Sequence, residues 1–195
     1  MKTFRFLVLL IILPLFIISC SKDENGDIDR DLTKNVFYIG NNEYLLANGY
    51  FIYVWKRWYP YEVLISLYSS GFDIIDGLNL AGTGDVFNIT INAADTSGVL
   101  NQGTYSTDSD EEEEWFLDEI ECYININSET MEASHGYIMT SGTILLEKEG
   151  NEYEITINGL GGEYTLDSGE LIESGIEMVA HYKGILPELF CEWCE

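Results

Sequence analysis

The alternation of apolar and polar residues that begins near Asn35 constrains the fold more than any other feature of this sequence. It is clearest in residues 63–67, 87–91 and 122–126, where every second residue is apolar. Because successive side chains of a β-strand point to opposite faces, this period of two predicts half-buried strands. In the third segment the same register directs Cys122 into the core as an inert, packed thiol.

Turn residues separate these alternating segments. Gly150-Asn151 lies between two such runs, and both residues tolerate the positive φ that a tight hairpin turn requires. A second turn is expected at Asp167–Gly169, before a last strand at Ile176–Tyr182 whose even positions face inwards. Many short strands with glycine-containing turns favour a single all-β domain over residues 35–186, either an antiparallel β-sandwich or a barrel-like meander.

Helices are expected to be rare, because no segment after Cys20 combines a 3.6-residue apolar period with capping residues. The acid-rich stretch Asp108–Glu121 contains the best place for a short helix, at Glu111–Glu121. Its carboxylates could also collect calcium through hard oxygen ligands. They lack the spaced Asp, Asn and Gly residues of a defined site, so a solvated loop is the favoured interpretation and no metal or cofactor is predicted.

The amino terminus has the pattern of a secretory signal peptide. Lys2 and Arg5 precede an apolar run from Phe6 to Ile18, shorter than the roughly 20 residues of a permanent membrane-spanning helix. Because such a segment is removed on export, residues 1–19 are assigned to a cleaved signal peptide and take no part in the folded domain.

The residues that end this run, Ile17-Ile18-Ser19-Cys20, resemble the lipobox of bacterial lipoproteins. In that family the signal is cut before the cysteine, whose thiol carries a diacylglycerol while its amino group usually carries a fatty acyl chain such as palmitate. The resemblance therefore implies lipidation at Cys20, and two or three lipid chains satisfy the requirement for stable anchoring. A chance cysteine in an ordinary secretory signal is the alternative.

Two further resemblances concern where the protein resides and how it folds. Lys22-Asp23-Glu24 resembles the lipoprotein export signal of the Bacteroidetes phylum, which implies a lipid-anchored, surface-exposed outer-membrane protein with residues 20–34 as an acidic tether. A plain solvated linker is the alternative. Residues 142–146, 153–157 and 182–184 resemble small Bacteroidetes lipoproteins of unknown function, which implies an all-β fold and supplies no catalytic residue.

The charge of the chain excludes one class of partner. Asp and Glu number 34 against 9 Lys and Arg, and the formal net charge is −25 at pH 7. Such a charge repels phosphate backbones, so nucleic-acid binding is not expected. It also opposes contact with anionic lipid, which favours a domain held away from the membrane by its tether.

The aromatic segment Tyr53–Tyr61 is the most suggestive candidate for ligand binding. It contains the candidate contact residues Trp55, Arg57, Trp58, Tyr59 and Tyr61. Exposed Trp and Tyr rings offer flat apolar faces with polar rims, suited to a glycan or a protein partner. The alternative, which the frequent burial of aromatic side chains favours, is a hydrophobic plug that closes one end of the domain.

The carboxy-terminal tail, residues 187–195, contains Cys191 and Cys194, which could form a disulfide in an oxidising compartment. A redox CxxC motif belongs at the start of a helix in a βαβ unit, and no such unit is predicted. A zinc site that adds His135 and His181 is not favoured, because the spacing matches no common module.

These features favour a non-enzymatic binding or interaction module with a glycan or protein ligand. The alternative is a structural or assembly subunit that donates an edge strand or the tail Glu188–Glu195 to a neighbour by β-augmentation. An extracellular hydrolase is a third hypothesis, and it has no supporting motif, since the sequence contains no Gly-x-Ser-x-Gly elbow.

Overall fold

The computed structural model describes residues 30–54, 62–75, 79–93, 100–107 and 115–189. Within these ranges the protein is all-β and contains no helix, which confirms the predicted fold class. No helix among these residues is long and apolar enough to cross a membrane.

Twelve strands are present in the part of the chain that the structure describes. In chain order they are β1 (Val36–Ile39), β2 (Asn42–Leu45), β3 (Asn48–Val54), β4 (Glu62–Tyr68), β5 (Phe72–Ile75), β6 (Asn79–Ala93), β7 (Gly103–Ser106), β8 (Trp115–Asn127), β9 (His135–Glu149), β10 (Glu152–Tyr164), β11 (Leu171–Ile185) and β12 (Glu188–Leu189).

The strands form one sheet in the order β12-β3-β4-β6-β8-β9-β10-β11-β1-β2, with β5 beside β6 and β7 beside β9. From β3 to β11 the strands of this path follow their order in the chain, apart from β5 and β7, which lie off the path. Each is antiparallel to its neighbour, which is the predicted meander. The pair between β12 and β3 is parallel, so the sheet is mixed.

Two short connections show that the sheet curls on itself. Leu46-Ala47 joins β2 to β3, and Leu186-Pro187 joins β11 to β12, although the two strands of each pair stand seven or eight places apart in the sheet order. Two intervening residues span at most roughly 11 Å between Cα atoms. The two ends of the sheet therefore lie close together at these points, and the sheet forms a half-barrel.

The inner face of the half-barrel contains the main hydrophobic core. Most predicted inward positions are confirmed, since the following residues are all at most 5% exposed: Val63, Ile65, Leu67, Phe87, Ile89, Ile91, Cys122, Tyr153, Ile155, Ile157, Met178, Ala180 and Tyr182. Ile126, expected on the same face as Cys122, lies instead in a smaller cluster outside the main core, because the register of β8 against β6 shifts between Tyr123 and Ile126. Both predicted turns are also present. Glu149 pairs with Glu152 around Gly150-Asn151, and Tyr164 pairs with Leu171 around the second turn.

The short helix predicted at Glu111–Glu121 is wrong for residues 115–121, which belong to β8; residues 111–114 lie outside the described ranges. A β-bulge interrupts the alternation in this part of β8. Leu117 pairs with Ile91 while Glu119 pairs with Thr90, so Asp118 is an extra residue in β8. The bulge lets Leu117 and Ile120 both face inwards at a spacing of three, which imitates a helical period.

A second, smaller hydrophobic cluster lies outside the main core. Its buried members are Tyr50, Ile52, Tyr68, Phe72, Val86 and Ile126. The first four residues of β6 pair with β5 and not with β4, and Phe72 of β5 packs edge-on against the ring of Tyr68. This cluster shields part of the outer face of β3, β4, β6 and β8, and it forms one wall of the site described next.

Candidate functional site

Most of the sequence-predicted site residues lie outside the described ranges. These are Cys20, Trp55, Arg57, Trp58, Tyr59, Tyr61, Cys191 and Cys194, and their roles stay predictions. Tyr53, the first residue of the aromatic segment, is described. It is half-buried against the main core, with its ring edge-on to Phe51, and burial raises its pKa well above the ordinary value.

The described start of the carboxy-terminal tail is a strand. Glu188 and Leu189 form β12, which pairs with Phe51 and Ile52 of β3 in the same chain. The amide of Phe51 also donates a hydrogen bond to the carbonyl of Pro187 at 3.1 Å. Donation of Glu188 and Leu189 to a neighbouring molecule would therefore have to replace this pairing.

A groove of about 650 Å³ lies on the outer face of the sheet. It crosses the strands from Tyr50 on β3 to Tyr164 on β10. Apolar side chains line most of it, notably Leu64, Leu80, Val86 and Ile126. Volume and lining are those of a small-molecule or side-chain binding site.

A row of polar groups crosses the floor of this groove because strand register aligns it. Ser66, Asn88 and Glu121 pair with one another across β4, β6 and β8, so they lie on one line perpendicular to the strands. The hydroxyl of Ser66 donates to Asn88 Oδ1 at 2.7 Å. On β8, the phenol of Tyr123 donates to Glu121 Oε2 at 2.9 Å, which leaves the other carboxylate oxygen of Glu121 for a ligand.

Beyond Glu121 the polar groups continue two residues further along β8, where Gly136 of β9 lets Tyr164 approach Tyr123. Gly136 lies between Tyr123 and Tyr164 in the sheet, and a Cβ atom at this position would be 2.9 Å from Cζ of Tyr164 and 2.7 Å from Leu166 Cδ2. The ring of Tyr164 thus covers the glycine and reaches Tyr123. Burial raises the pKa of Tyr123, and so do its hydrogen bonds to Tyr164 and Glu121. Burial likewise raises the pKa of Tyr164, so both phenols are neutral. Because Tyr123 donates its proton to Glu121, it can only accept a hydrogen bond from a ligand.

Met131 lies at the mouth of the groove in a strained conformation. Its φ is +57°, a left-handed value that costs a non-glycine residue about 1 kcal/mol or more. The Asn127 side chain holds this loop by accepting the amides of Glu129 and Thr130, and the amide of Met131 donates to the Asn127 carbonyl at 2.8 Å. The loop thereby keeps a flexible thioether side chain 72% exposed beside the groove.

The electrostatics of the groove are negative. Glu121 is the one acidic residue among its described lining residues, and none of them is Lys, Arg or His. Glu119 lies two residues before Glu121 on the same face of β8. Burial raises the pKa of Glu119, and the neighbouring carboxylates of Glu121, Asp118 and Glu62 raise it further. The carboxylates of Glu119 and Glu121 would repel an anionic ligand.

The two histidines do not belong to one site. His135 begins β9 and its Nδ1 lies 2.7 Å from Glu163 Oε1, in a shallow depression next to the groove. His181 pairs through β10 with Leu145, ten residues further along β9, which separates the two imidazoles by roughly 30 Å along the sheet. They cannot share a metal ion. No cluster suited to a metal ion occurs among the described residues.

The residues of the groove were not singled out by the sequence. Ser66, Asn88 and Glu121 are ordinary outward positions of alternating strands, and only the pairing of three strands brings them together. The His-Gly-Tyr sequence at 135–137 is the one local signal, because a glycine at the start of a strand marks close approach of another group. Comparison of the chain with protein-family models, with curated proteins and with solved structures finds no match.

Proposed function

We propose that this protein is a non-enzymatic binding module that captures its ligand in the outer-face groove. The observation that carries the proposal is a 650 Å³ apolar groove crossed by one row of hydrogen-bonding groups. Apolar walls supply the affinity of such a site and a few placed polar groups fix the orientation of the ligand. The groove presents phenols, an amide and a carboxylate, and we infer a neutral or cationic ligand.

The proposal is non-enzymatic because the arrangement supports holding a ligand better than transforming one. Glu121 accepts a hydrogen bond from a phenol, Tyr123, and is joined by Asn88 and Ser66 on the same rung. Hydrolysis of a glycosidic bond uses two carboxyl groups on opposite sides of the bond. Neither a second carboxylate nor an activated nucleophile faces Glu121 among the described lining residues.

We further propose that the module is displayed at the cell surface, anchored in the outer membrane by lipid on Cys20. The support is the sequence from Ile17 to Glu24, with its lipobox-like and export-signal-like residues. An acidic tether suits such a display, since a negatively charged domain is repelled from an anionic membrane surface.

Filling the groove tests the proposed function. The purified full chain in detergent would be applied to arrays of glycans and of short peptides, alongside Asn88→Trp and Asn88→Ala. Both substitutions remove the hydrogen bond to Ser66, but only Trp fills the groove. We expect Asn88→Trp to weaken capture by about tenfold or more and Asn88→Ala by less than about threefold.

Equal capture by wild type and Asn88→Trp would refute the groove as the binding site, and so would an absence of capture from both arrays. The same arrays measure the aromatic segment separately through Trp55→Ala and Trp58→Ala. Unchanged capture by these two variants would remove the segment from the binding site and favour its role as a hydrophobic plug.

A further inference from the structure

The rim beside the groove contains an exposed aliphatic patch. Met131 and Ile172 are 72% and 61% exposed, and Leu166 is 42% exposed. All three line the depression that shares Met131, Tyr164 and Leu166 with the groove. Apolar side chains that are exposed together, and not scattered singly, are typical of an interaction surface.

The dimensions of the groove match an extended chain. From Tyr50 on β3 to Tyr164 on β10 it crosses five gaps between neighbouring strands. At about 4.8 Å for each gap, the path is roughly 24 Å long, the length of about seven extended residues. A single sugar ring or a free amine would occupy only part of this path and would leave the aliphatic rim uncovered.

The negative charge of the groove and of the whole chain favours a positively charged partner. Glu121 stands midway along the path with one carboxylate oxygen bound by Tyr123, and Glu119 lies on the same outer face. Tyr123 and Tyr164 place aromatic rings beside this carboxylate, where they favour a cation. The net charge of −25 steers cations towards the domain from a distance.

We propose that the groove binds an extended basic segment of a partner polypeptide, with one Lys or Arg side chain paired to Glu121 and flanking apolar side chains on Met131, Leu166 and Ile172. This inference rests on the proposed function, and it names the partner class of that same groove. Affinity comes from apolar burial on the rim, while the charge pair supplies orientation and selectivity.

The test uses defined peptides and a charge-matched control. The probes are capped peptides of about seven residues with one central Lys between Leu and Ile residues, and otherwise identical peptides with Gln or Glu at the centre. Binding to the full chain would be measured by fluorescence anisotropy. We expect the Lys peptide to bind about tenfold more tightly than the Gln peptide, and the Glu peptide to bind most weakly.

Glu121→Gln is the decisive variant, because glutamine still accepts the hydrogen bond of Tyr123 while the charge is lost. We expect it to bring the Lys and Gln peptides to within about twofold of each other. Glu147→Gln removes the same charge from an exposed position of β9 outside the groove, and it should keep the preference for Lys.

Three results would overturn the inference. The first is equal binding of the Lys and Gln peptides by the wild-type chain. The second is a loss of the preference for the Lys peptide in Glu147→Gln as large as that in Glu121→Gln. The third is capture of glycans in place of peptides. In each case the proposed function survives if Asn88→Trp still blocks capture of whatever ligand binds. If the Lys peptide binds and Asn88→Trp does not weaken it, the groove is not the site and the proposed function fails as well.

Discussion

The thiol of Cys122 lies on the inner face of β8, between Phe87 of β6 and Tyr137 of β9. Its side chain is fully buried, and burial raises its pKa well above the ordinary value. Because the thiolate is the reactive form of cysteine, a buried thiol that stays protonated reacts only when the fold opens. Register alone therefore decides the chemistry of this residue.

We predict that Cys122 resists alkylation in the native protein. At about pH 8, iodoacetamide should modify it at least about a hundredfold more slowly in the folded chain than in urea, because reaction requires local unfolding. Peptide mass spectrometry separates its modification from that of the other cysteines. Labelling of Cys122 at similar rates in both conditions would contradict its placement in the core.

At the scale of elements, two facing glycines shape the long hairpin of β9 and β10. Gly142 and Gly159 pair with each other one residue before the register of the two strands shifts. A Cβ atom on Gly159 would lie 2.4 Å from the Ser141 carbonyl oxygen and 2.6 Å from Met139 Sδ. The glycine pair lies between the part of β9 that pairs with β8, residues 135–138, and the part that pairs with β7, residues 143–146.

Gly159→Ala should destabilise the protein by about 1–3 kcal/mol, because the added methyl group overlaps backbone atoms that can yield only by moving a strand. Gly103→Ala on β7 is the matched control, since a Cβ atom there meets nothing within 4 Å. It should change the free energy of unfolding by less than about 0.5 kcal/mol. Urea unfolding of the two variants measures this difference, and equal stabilities would refute the close approach.

For the whole molecule, tyrosines make up a distinctive part of the core. Tyr105, Tyr137 and Tyr182 are each at most 7% exposed, and burial raises the pKa of each to about 12. The ordinary value is 10.0. Between these two values the unfolded chain loses protons that the folded chain keeps, so the free energy of unfolding falls as the pH rises.

We predict an alkaline unfolding transition between about pH 10 and pH 12, with full stability retained below pH 10 as far as these groups are concerned. Circular dichroism and tyrosinate absorbance, followed together, should change in one cooperative step that reverses on return to neutral pH. Ionisation of all tyrosines near pH 10 with unchanged circular dichroism would contradict the burial of these rings.

The local sequence pattern was sufficient to predict the strands and turns, because the alternation of apolar and polar residues within a strand shows which of its faces is buried. The positions that alternate in β4, β6 and β11 are the positions that face the core. The same logic failed at residues 115–121, where the bulge at Asp118 breaks the period of two. A bulge depends on the partner strand, so no local pattern could reveal it.

The sequence by itself determined the all-β class, most inward residues and the hairpin turns, because alternation and positive-φ residues act within a few positions of the chain. Only the tertiary structure decided which strands are neighbours, and with them the groove. Ser66, Asn88, Glu121 and Tyr164 come from four strands, and they share one surface because backbone pairing sets the register of each strand against the next. The same long-range pairing curls the sheet and brings its two ends together.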